Sequence, residues 1–542
     1  MSIDKSDWEK LRSPADFCQH ISLCLPDTCN GVLVKLSILL FYFGILFLIG
    51  YWSSKKIKDI RDYYVGGKKL GFWVVAFSVR ATGESAWLLL GLTGLGAIAG
   101  VSALWVVVGE VIGVSLSWLV MAKRFKRFSD RFESITVPDY LVSRFRSGTH
   151  HLRIIASVIL SVFVIIYVSA QIDATGSAFE AFMGWNYFTG ALVGFGIVLV
   201  YILFGGFVAV AWSDLFQGLL MFLGLVALPL LGFFMLRNGE SLWSGLQSID
   251  PELLNPWGPG GLTLVNIATL LGYAFIGLGF LGSPQVYVRF MSIKNEAEIS
   301  KGTWVAIIFT LVTDTAAVFI GMLARYFFTE AGADVESVLG INGQNSLIHL
   351  VEHLLPLLFI GIYIAVVLAA IMSTIDSLLV VASSAVVRDI YQQILHPQLS
   401  MAGLTKLSRQ VTFGMAIIAL ALALIVAITT PERTIFWFVI FGWSGIAASF
   451  CPVIILSLFW KGYTERGAMA SMIVGFLSIP VFKFVLASLD TYGIYFDRVA
   501  ELGPSFLMGL LAGYLVSIWK PDQRLARHFE ETVRETETKH RS

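Results

Sequence analysis

Seven ionisable residues stand inside stretches of otherwise apolar chain: Arg80, Glu84, Glu110, Asp173, Asp214, Asp314 and Asp376. A charge in such surroundings is costly unless it is paired or used, so each is a candidate for chemistry. Arg80 and Glu84 are four residues apart and can pair on one helix face; where the helix is unwound, they face a solute instead. A guanidinium matches a planar carboxylate, and Glu84 or Asp173 would meet an ammonium group, which together make a trap for a zwitterion. Glu84 reads alternatively as the seat of a proton-coupled step. Further on, Ala370, Ser373, Thr374 and Ser377 share one helical face. Their hydroxyls and nearby carbonyls would make a neutral oxygen cage for a small hard cation such as Na+. The competing reading is that they bond back to the preceding turn. The sequence offers no nucleophile and base pair, no cluster at metal-ligand spacing and no phosphate loop, so neither an enzyme nor an organic cofactor is expected. Gly277-x-Gly279-x-x-Gly282 matches a dinucleotide fingerprint in form but lacks its strand and helix context.

These residues belong to a chain of 542 that is 56% hydrophobic and 14% charged, against roughly 25% charged in a soluble domain. Lys and Arg number 38 and Asp and Glu 37, so no charge excess suggests nucleic acid. Stretches long enough to cross a hydrocarbon core of about 30 Å lie near 32–52, 70–99, 101–122, 152–183, 187–204 and 206–236. The second half adds 264–288, 303–328, 354–387, 409–428, 434–460, 467–487 and 502–519. The fold class expected is therefore an all-α polytopic membrane protein of 13 transmembrane helices, a single domain over 32–519. A polar tail, 1–31, precedes it and a charged tail, 520–542, follows it as a short surface helix. No cleavable leader is visible, and Val32 to Trp52 reads as the first span. With the N-terminus outside, the inner loops and C-terminal tail hold 28 basic residues against nine on the outer side. The positive-inside rule then puts the C-terminus in the cytoplasm and the protein in the plasma (inner) membrane. Cys18, Cys24 and Cys29 fall in the outer tail, where one pair can oxidise or all can stay as thiols.

Two segments look interrupted. Segment 2 contains the polar run Ser78-Val-Arg-Ala-Thr-Gly-Glu-Ser85, and segment 7 contains Gly277, Gly279, Gly282, Ser283 and Pro284. Glycine and proline both weaken a helix there, and transporters bind ions and solutes where paired helices are unwound. The two lie five segments apart, an odd number, so five-helix units starting at each run in opposite senses. The alternative is that the glycines only permit close helix packing.

Several stretches together carry a family resemblance. They are Asp62-Tyr-Tyr-Val-Gly-Gly-Lys-Lys-Leu-Gly71, Ser85-Ala-Trp-Leu-Leu-Leu-Gly-Leu-Thr-Gly94, Thr136-Val-Pro-Asp-Tyr140 and Gly205-Gly-Phe-Val-Ala-Val-Ala-Trp-Ser-Asp214. Pro284-Gln-Val-Tyr-Val-Arg-Phe-Met291, Ala369-Ala-Ile-Met-Ser-Thr374 and Trp460-Lys-Gly-Tyr-Thr-Glu-Arg-Gly-Ala468 follow. In this order and spacing the chain resembles the sodium:solute symporter family over nearly its whole length, and most of all its bacterial sodium/proline symporters. The resemblance implies a LeuT-type core of two inverted five-helix repeats, segments 2–6 and 7–11, with one extra helix before and two after. It implies a sodium site made by the backbone carbonyls of Ala81, Glu84 and Ala370 and the hydroxyls of Ser373 and Thr374. Asp214 matches an acidic residue near that ion, either an ion or proton relay or an anchor. Because Ala370 replaces a hydroxyl found in members with a second sodium, one sodium is expected. Asp376 reads as structural.

The implied solute pocket lies among Arg80, Gly83, Ser85, Trp87, Tyr167, Gln171, Gly277, Phe280 and Pro284, aromatic walls with a few polar groups. The chain departs from sodium/proline symporters at Arg80, Gly83, Glu84 and Ile276, where they resemble one another in having Gly, Asp, Met and Trp. The expected function is thus sodium-coupled symport of a small polar solute, an amino acid (proline-like) or related zwitterion. A monocarboxylate or sugar symporter, with proton coupling as a variant, is the alternative within the family; a non-transporting solute sensor is the alternative outside it. The partners expected are the solute, Na+ and the lipid bilayer, with a monomer sufficient for transport.

Overall fold

The structure, a computed structural model, describes residues 26–541 apart from 56, 58, 237–240, 397 and 399. In lipid every backbone N–H and C=O must be satisfied within the segment, and the chain answers with helices. Among the described residues the sole β pairing is one parallel bridge, Leu70 to Ile293. The principal helices are α1 (Pro26–Ser54), α2 (Phe72–Ala86), α3 (Leu104–Leu116), α4 (His151–Met183), α5 (Tyr187–Phe234), α6 (Leu264–Phe275) and α7 (Pro284–Ser292). They continue as α8 (Glu296–Phe328), α9 (Leu357–Ser384), α10 (Met401–Thr429), α11 (Ile435–Phe459), α12 (Glu465–Pro480), α13 (Leu502–Trp519) and α14 (Gln523–Arg541).

Eleven stretches among the described residues are long and apolar enough to cross a membrane, where the sequence predicts thirteen. The difference has two sources. Phe72–Arg131 counts as one stretch of 60 residues, which would be about 90 Å long if straight. It is broken at Gly100, whose φ of 57° and ψ of −133° end one helix before α3 begins. Tyr187–Val200, the first part of α5, is a shorter apolar helix; α5 is then kinked at Gly206, with φ 54° and ψ −171°. The expected outer tail lies mostly outside the described residues, as do Cys18 and Cys24. Cys29 lies within α1, which starts six residues before the expected boundary.

Burial sorts the helices. The apolar windows of Leu357–Leu395 and Ile435–Phe459 are each 83% buried, whereas those of α1 and α10 are 17% and 28%. Helices α9 and α11 therefore form the centre, and α1 turns side chains such as Leu40, Phe41 and Leu48 outward to lipid.

Both interrupted segments are broken in the structure. In α2 the backbone leaves helical geometry at Ser85, φ 40° and ψ −164°, and resumes as a wide π-type turn over Trp87–Leu92. In segment 7, α6 tightens into a 3-10 helix over Ile276–Leu281, and a new helix starts with Pro284 in its first turn, where its missing N–H costs nothing. Close packing operates here as well. A Cβ on Gly277 would stand 1.9 Å from the carbonyl oxygen of Gly109 on α3, so only glycine lets these two backbones meet. At one end of the bundle, Leu70 N–H donates to the Ser292 carbonyl (3.1 Å) and Lys294 N–H to that of Leu70 (2.9 Å), tying the start of α2 to the end of α7. The tail helix α14 lies on this same end. Its Phe529 packs under Arg144, 4.5 Å from ring centre to guanidinium carbon, and Glu530 accepts from Lys461 at 2.8 Å.

Candidate functional site

The bend in α2 faces the middle of α9, and two hydroxyls span the gap. Ser373 Oγ donates toward the Ala81 carbonyl at 3.0 Å and lies 3.1 Å from that of Ala370. Thr374 Oγ1 is 3.1 Å from the Thr82 carbonyl and 3.2 Å from that of Ala370. Four of the five expected ion ligands, Ala81, Ala370, Ser373 and Thr374, are thus brought together, and the Thr82 carbonyl joins them. The Glu84 carbonyl accepts the backbone N–H of Trp87 across the bend. All the atoms gathered here are neutral oxygens. Each hydroxyl reaches a carbonyl of its own helix, as the back-bonding reading expects, and one of the neighbouring helix.

Beside this group stands Arg289 of α7, fully buried. Its Nη2 donates to Asp214 Oδ2 (2.8 Å), Thr82 Oγ1 (2.6 Å) and Ser377 Oγ (2.5 Å), its Nε to Ser78 Oγ (2.6 Å) and its Nη1 to the Gln285 carbonyl (2.5 Å). Ser78 Oγ also donates to Asp214 Oδ2 at 2.5 Å. Asp214, read from sequence as a relay or an anchor, is therefore ion-paired, and Ser377, on the same face as Ser373 and Thr374, serves the guanidinium. Asp376 accepts from Ser377 at 3.3 Å.

Around the break in α2 at Ser85 lie the expected solute residues. The N–H of Ala86, freed by the break at Ser85, donates to Gln171 Oε1 at 3.1 Å; Gln171 Nε2 and the Tyr167 hydroxyl each lie 3.4 Å from Ser85 Oγ. Trp87 Nε1 donates to the Gly83 carbonyl (3.0 Å), and its ring stands edge-on to Phe436. Gly83 leaves room for Phe280, whose ring would lie 2.9 Å from a Cβ there. Trp443 of α11 closes the wall. Its centroid is 5.2 Å from that of Phe280 and 6.4 Å from that of Tyr167, and its Nε1 donates to the Ile276 carbonyl in the unwound stretch at 3.0 Å. Gly277 and Pro284 flank this stretch, the first against α3 and the second in the first turn of α7. Every one of these side chains is buried.

Arg80 does not open onto that wall alone. Its Nε and Nη2 donate to Glu84 Oε1 at 3.3 and 2.9 Å, and its guanidinium lies 3.6 Å from Glu110 Oε2 and 3.7 Å from Asp314 Oδ1. The guanidinium carbon is 4.9 Å from the centre of the Phe280 ring. Asp173 is engaged further out, accepting from the Tyr187 hydroxyl (2.6 Å) and from Arg433 Nε (2.9 Å).

Three participants escaped the sequence reading: Arg289, Trp443 and Arg433. Arg289 stood in a stretch already singled out, five residues after a helix-breaking proline and just past the expected end of the span at 288, and a cation at that place was the available signal. Trp443 and Arg433 join partners more than 160 residues away, and nothing in their own segments announces it.

Comparison with known proteins places the chain by family and fold. The profile of the Sodium:solute symporter family matches residues 63–475. The high-affinity proline transporter PutP of Bacillus subtilis (strain 168) is 34% identical over 489 residues, covering 90% of this chain and 98% of its own. The sodium/proline symporter of Escherichia coli (strain K12) is 30% identical over 499 residues, covering 91% and 94%. Among solved structures, the outward-open, substrate-bound state of a Na+-coupled sialic acid symporter superposes with a TM-score of 0.74 at 20% identity, over 90% of this chain and 98% of the other. A nucleobase-cation-symport-1 transporter in a closed conformation gives 0.52 at 12% identity, over 87% and 98%.

Proposed function

The chain belongs to the sodium:solute symporter family, and on that premise we propose that it carries proline or a closely related zwitterion across the membrane with Na+. It is a multi-pass membrane transporter, not an enzyme, and it works by sodium-coupled symport. The observation that carries the ion assignment is the meeting of the Ser373 and Thr374 hydroxyls with the Ala81, Thr82 and Ala370 carbonyls across α2 and α9. A cage of neutral oxygens holds Na+ without the Coulomb trap that a carboxylate would set, so the ion can leave on the other side. The Glu84 carbonyl, one turn along the same helix, completes the ligand set in our assignment. Asp214 takes the role of anchor, through Arg289.

Solute binding is assigned to the wall formed by Ser85, Trp87, Tyr167, Gln171, Phe280 and Trp443, where Gly83, Gly277 and Pro284 shape the backbone. Because Ala81 and Ser85 lie one turn apart on the same bent helix, Na+ that fixes the bend also fixes the pocket. Each ligand then raises the affinity for the other, and by linkage the factor is the same in both directions. Counting Phe72–Arg131 as two passages about Gly100 and adding Tyr187–Val200 makes thirteen spans. The broken α2 and the broken segment 7 then head two inverted repeats, with the N-terminus outside and the C-terminus in the cytoplasm of a plasma-membrane protein.

The test is uptake of L-proline into liposomes holding the purified protein, with a sodium gradient and then with potassium in its place. Accumulation that requires sodium supports the assignment. Accumulation of a monocarboxylate or sugar in place of proline would move the solute class, and binding without accumulation would make the protein a sensor.

A further inference from the structure

The charge balance around Arg80 is incomplete. Arg80 and Glu84 of α2, Glu110 of α3 and Asp314 of α8 converge with side chains at most 1% exposed. Glu84 takes both of the guanidinium's hydrogen bonds on one oxygen, which leaves Glu110 and Asp314 at 3.6 and 3.7 Å with no second cation paired to them among the described residues. Ionised throughout, the group would hold a net charge of about −2 in the middle of a membrane protein, a state that burial penalises heavily. Hydrogen bonding falls short as well. Glu84 Oε2, Glu110 Oε2, Asp314 Oδ2 and Arg80 Nη1 are buried without a hydrogen-bond partner. The hydroxyl of Thr313 has one hydrogen for three acceptors: the Phe309 carbonyl at 2.7 Å, Glu84 Oε1 at 2.9 Å and Asp314 Oδ1 at 3.2 Å. A carboxylic O–H in the group supplies the missing donor.

We propose that Glu110 and Asp314, held about Arg80, form a proton-binding site distinct from the sodium cage, which takes up and releases one H+ during transport. The step is a protonation alone. A carboxylate oxygen of the pair gains H+ from the aqueous phase, the group's charge changes from −2 to −1, and the same O–H bond breaks when the site opens to water again. A metal cation fits poorly, because a ligand to the free oxygens would sit within a few ångströms of the guanidinium; a proton brings no ionic radius. The groups about the pair are Arg80 and Glu84 from α2, Thr313 from α8 and, from α4, the nearby Tyr167 phenol; the Phe280 ring of the unwound stretch covers the Arg80 guanidinium. Helix α2 links the two sites. Arg80 and Glu84 face the carboxyls, and the carbonyls of Ala81 and Thr82 between them face Ser373 and Thr374. Protonation therefore acts on the same bend that sodium holds.

The inference that the proton moves during transport rests on the symport reading, but the existence of the site does not. Infrared difference spectra of the purified protein in liposomes, taken in sodium without any solute, test the site directly. We expect a deuterium-sensitive carboxylic C=O band that changes between acid and alkaline buffer and is lost in Glu110→Gln or Asp314→Asn. No such band in the native protein, or a band that ignores pH or survives both substitutions, overturns the proposal. Should one variant fail to fold, the other and the native titration decide. In the same liposomes, sodium-driven L-proline uptake by native protein should vary with pH, and the variants that fold should lose that dependence. PH-independent native uptake would overturn the transport role of the proton. Absence of uptake beside an intact band would instead refute the proline assignment.

Discussion

Removing the two hydroxyls between α2 and α9 is the sharpest perturbation of the ion assignment. Ser373→Ala takes away an oxygen 3.0 Å from the Ala81 carbonyl, and Thr374→Ala one 3.1 Å from that of Thr82. A buried polar group left without its partner costs about 1–3 kcal/mol. Part of that cost falls on the sodium-free protein, where each hydroxyl already bonds a carbonyl, and it lowers stability there by about 1 kcal/mol per site. The remainder, lost as an ion ligand, reaches about 2 kcal/mol, or up to roughly thirtyfold in half-saturating sodium at about 1.4 kcal/mol per tenfold. Both hydroxyls also lie beside the Ala370 carbonyl, so the double variant should fall short of the product of the singles. Sodium titration of thermal stability in detergent, repeated on L-proline uptake, reads the shift. Thr374→Ser, which keeps the oxygen, should restore most of it. A folded double variant whose sodium dependence matches the native protein would remove the site from these helices.

Asp214→Asn leaves the Arg289 guanidinium buried without its carboxylate and should cost about 3–5 kcal/mol; Asp214→Asn with Arg289→Gln should recover part of the lost melting temperature, and equal losses in single and double variants would contradict the pairing. Gly277→Ala puts a Cβ 1.9 Å from a backbone carbonyl of α3, so we expect little folded protein by fluorescence-detected size exclusion, whereas native-like yield would mean the two helices can part. The docking of α14 should weaken in acid. Burial first, then Arg146 and Arg144, lowers the pKa of His528 below its usual 6.5, so the folded state keeps it neutral. Its contribution is full above about pH 6.5 and is lost as pH falls toward the depressed folded value. Hydrogen-exchange protection factors across 523–541, which remove the intrinsic slowing of exchange in acid, should fall between about pH 7.5 and about pH 5.5, and His528→Gln should abolish the change; equal protection at both pH values would refute it.

What the sequence made legible follows the range of each interaction. Hydropathy is local, so the apolar stretches could be read off the chain, as could the two interruptions, because Gly, Pro and polar runs act on their own helix. The Arg80–Glu84 pair was visible as an i,i+4 spacing, although its further partners Glu110 and Asp314 appeared only as isolated buried acids. Two features lay out of reach for a geometric reason. Arg289 meets Asp214 because α7 starts afresh at Pro284, and the register of a half-helix against α5 is not written in either segment. Trp443 enters the wall assigned to the solute because α11 crosses the unwound stretch, a tertiary placement that α11's own largely apolar sequence does not signal.

The two faces of α2 then carry opposite electrostatic designs. Toward α9 and α7, Asp214 is neutralised by a guanidinium that is itself held by Ser78, Thr82, Ser377 and the Gln285 carbonyl. A second Na+ beside Asp214 would meet that fixed cation, so charge on this face is balanced without sodium, and in our assignment sodium binds through neutral oxygens alone. Toward α3 and α8, one guanidinium faces three carboxyls, and the proposed proton relieves part of the excess negative charge, from about −2 to about −1. A symporter that held both its ions on carboxylates would bind them too tightly to release; one that held both on neutral oxygens would gain little pH response. Dividing the two chemistries across a single bent helix lets the bend respond to each, because Ala81 and Thr82 cannot move toward Ser373 and Thr374 without moving Arg80 and Glu84 against Glu110 and Asp314.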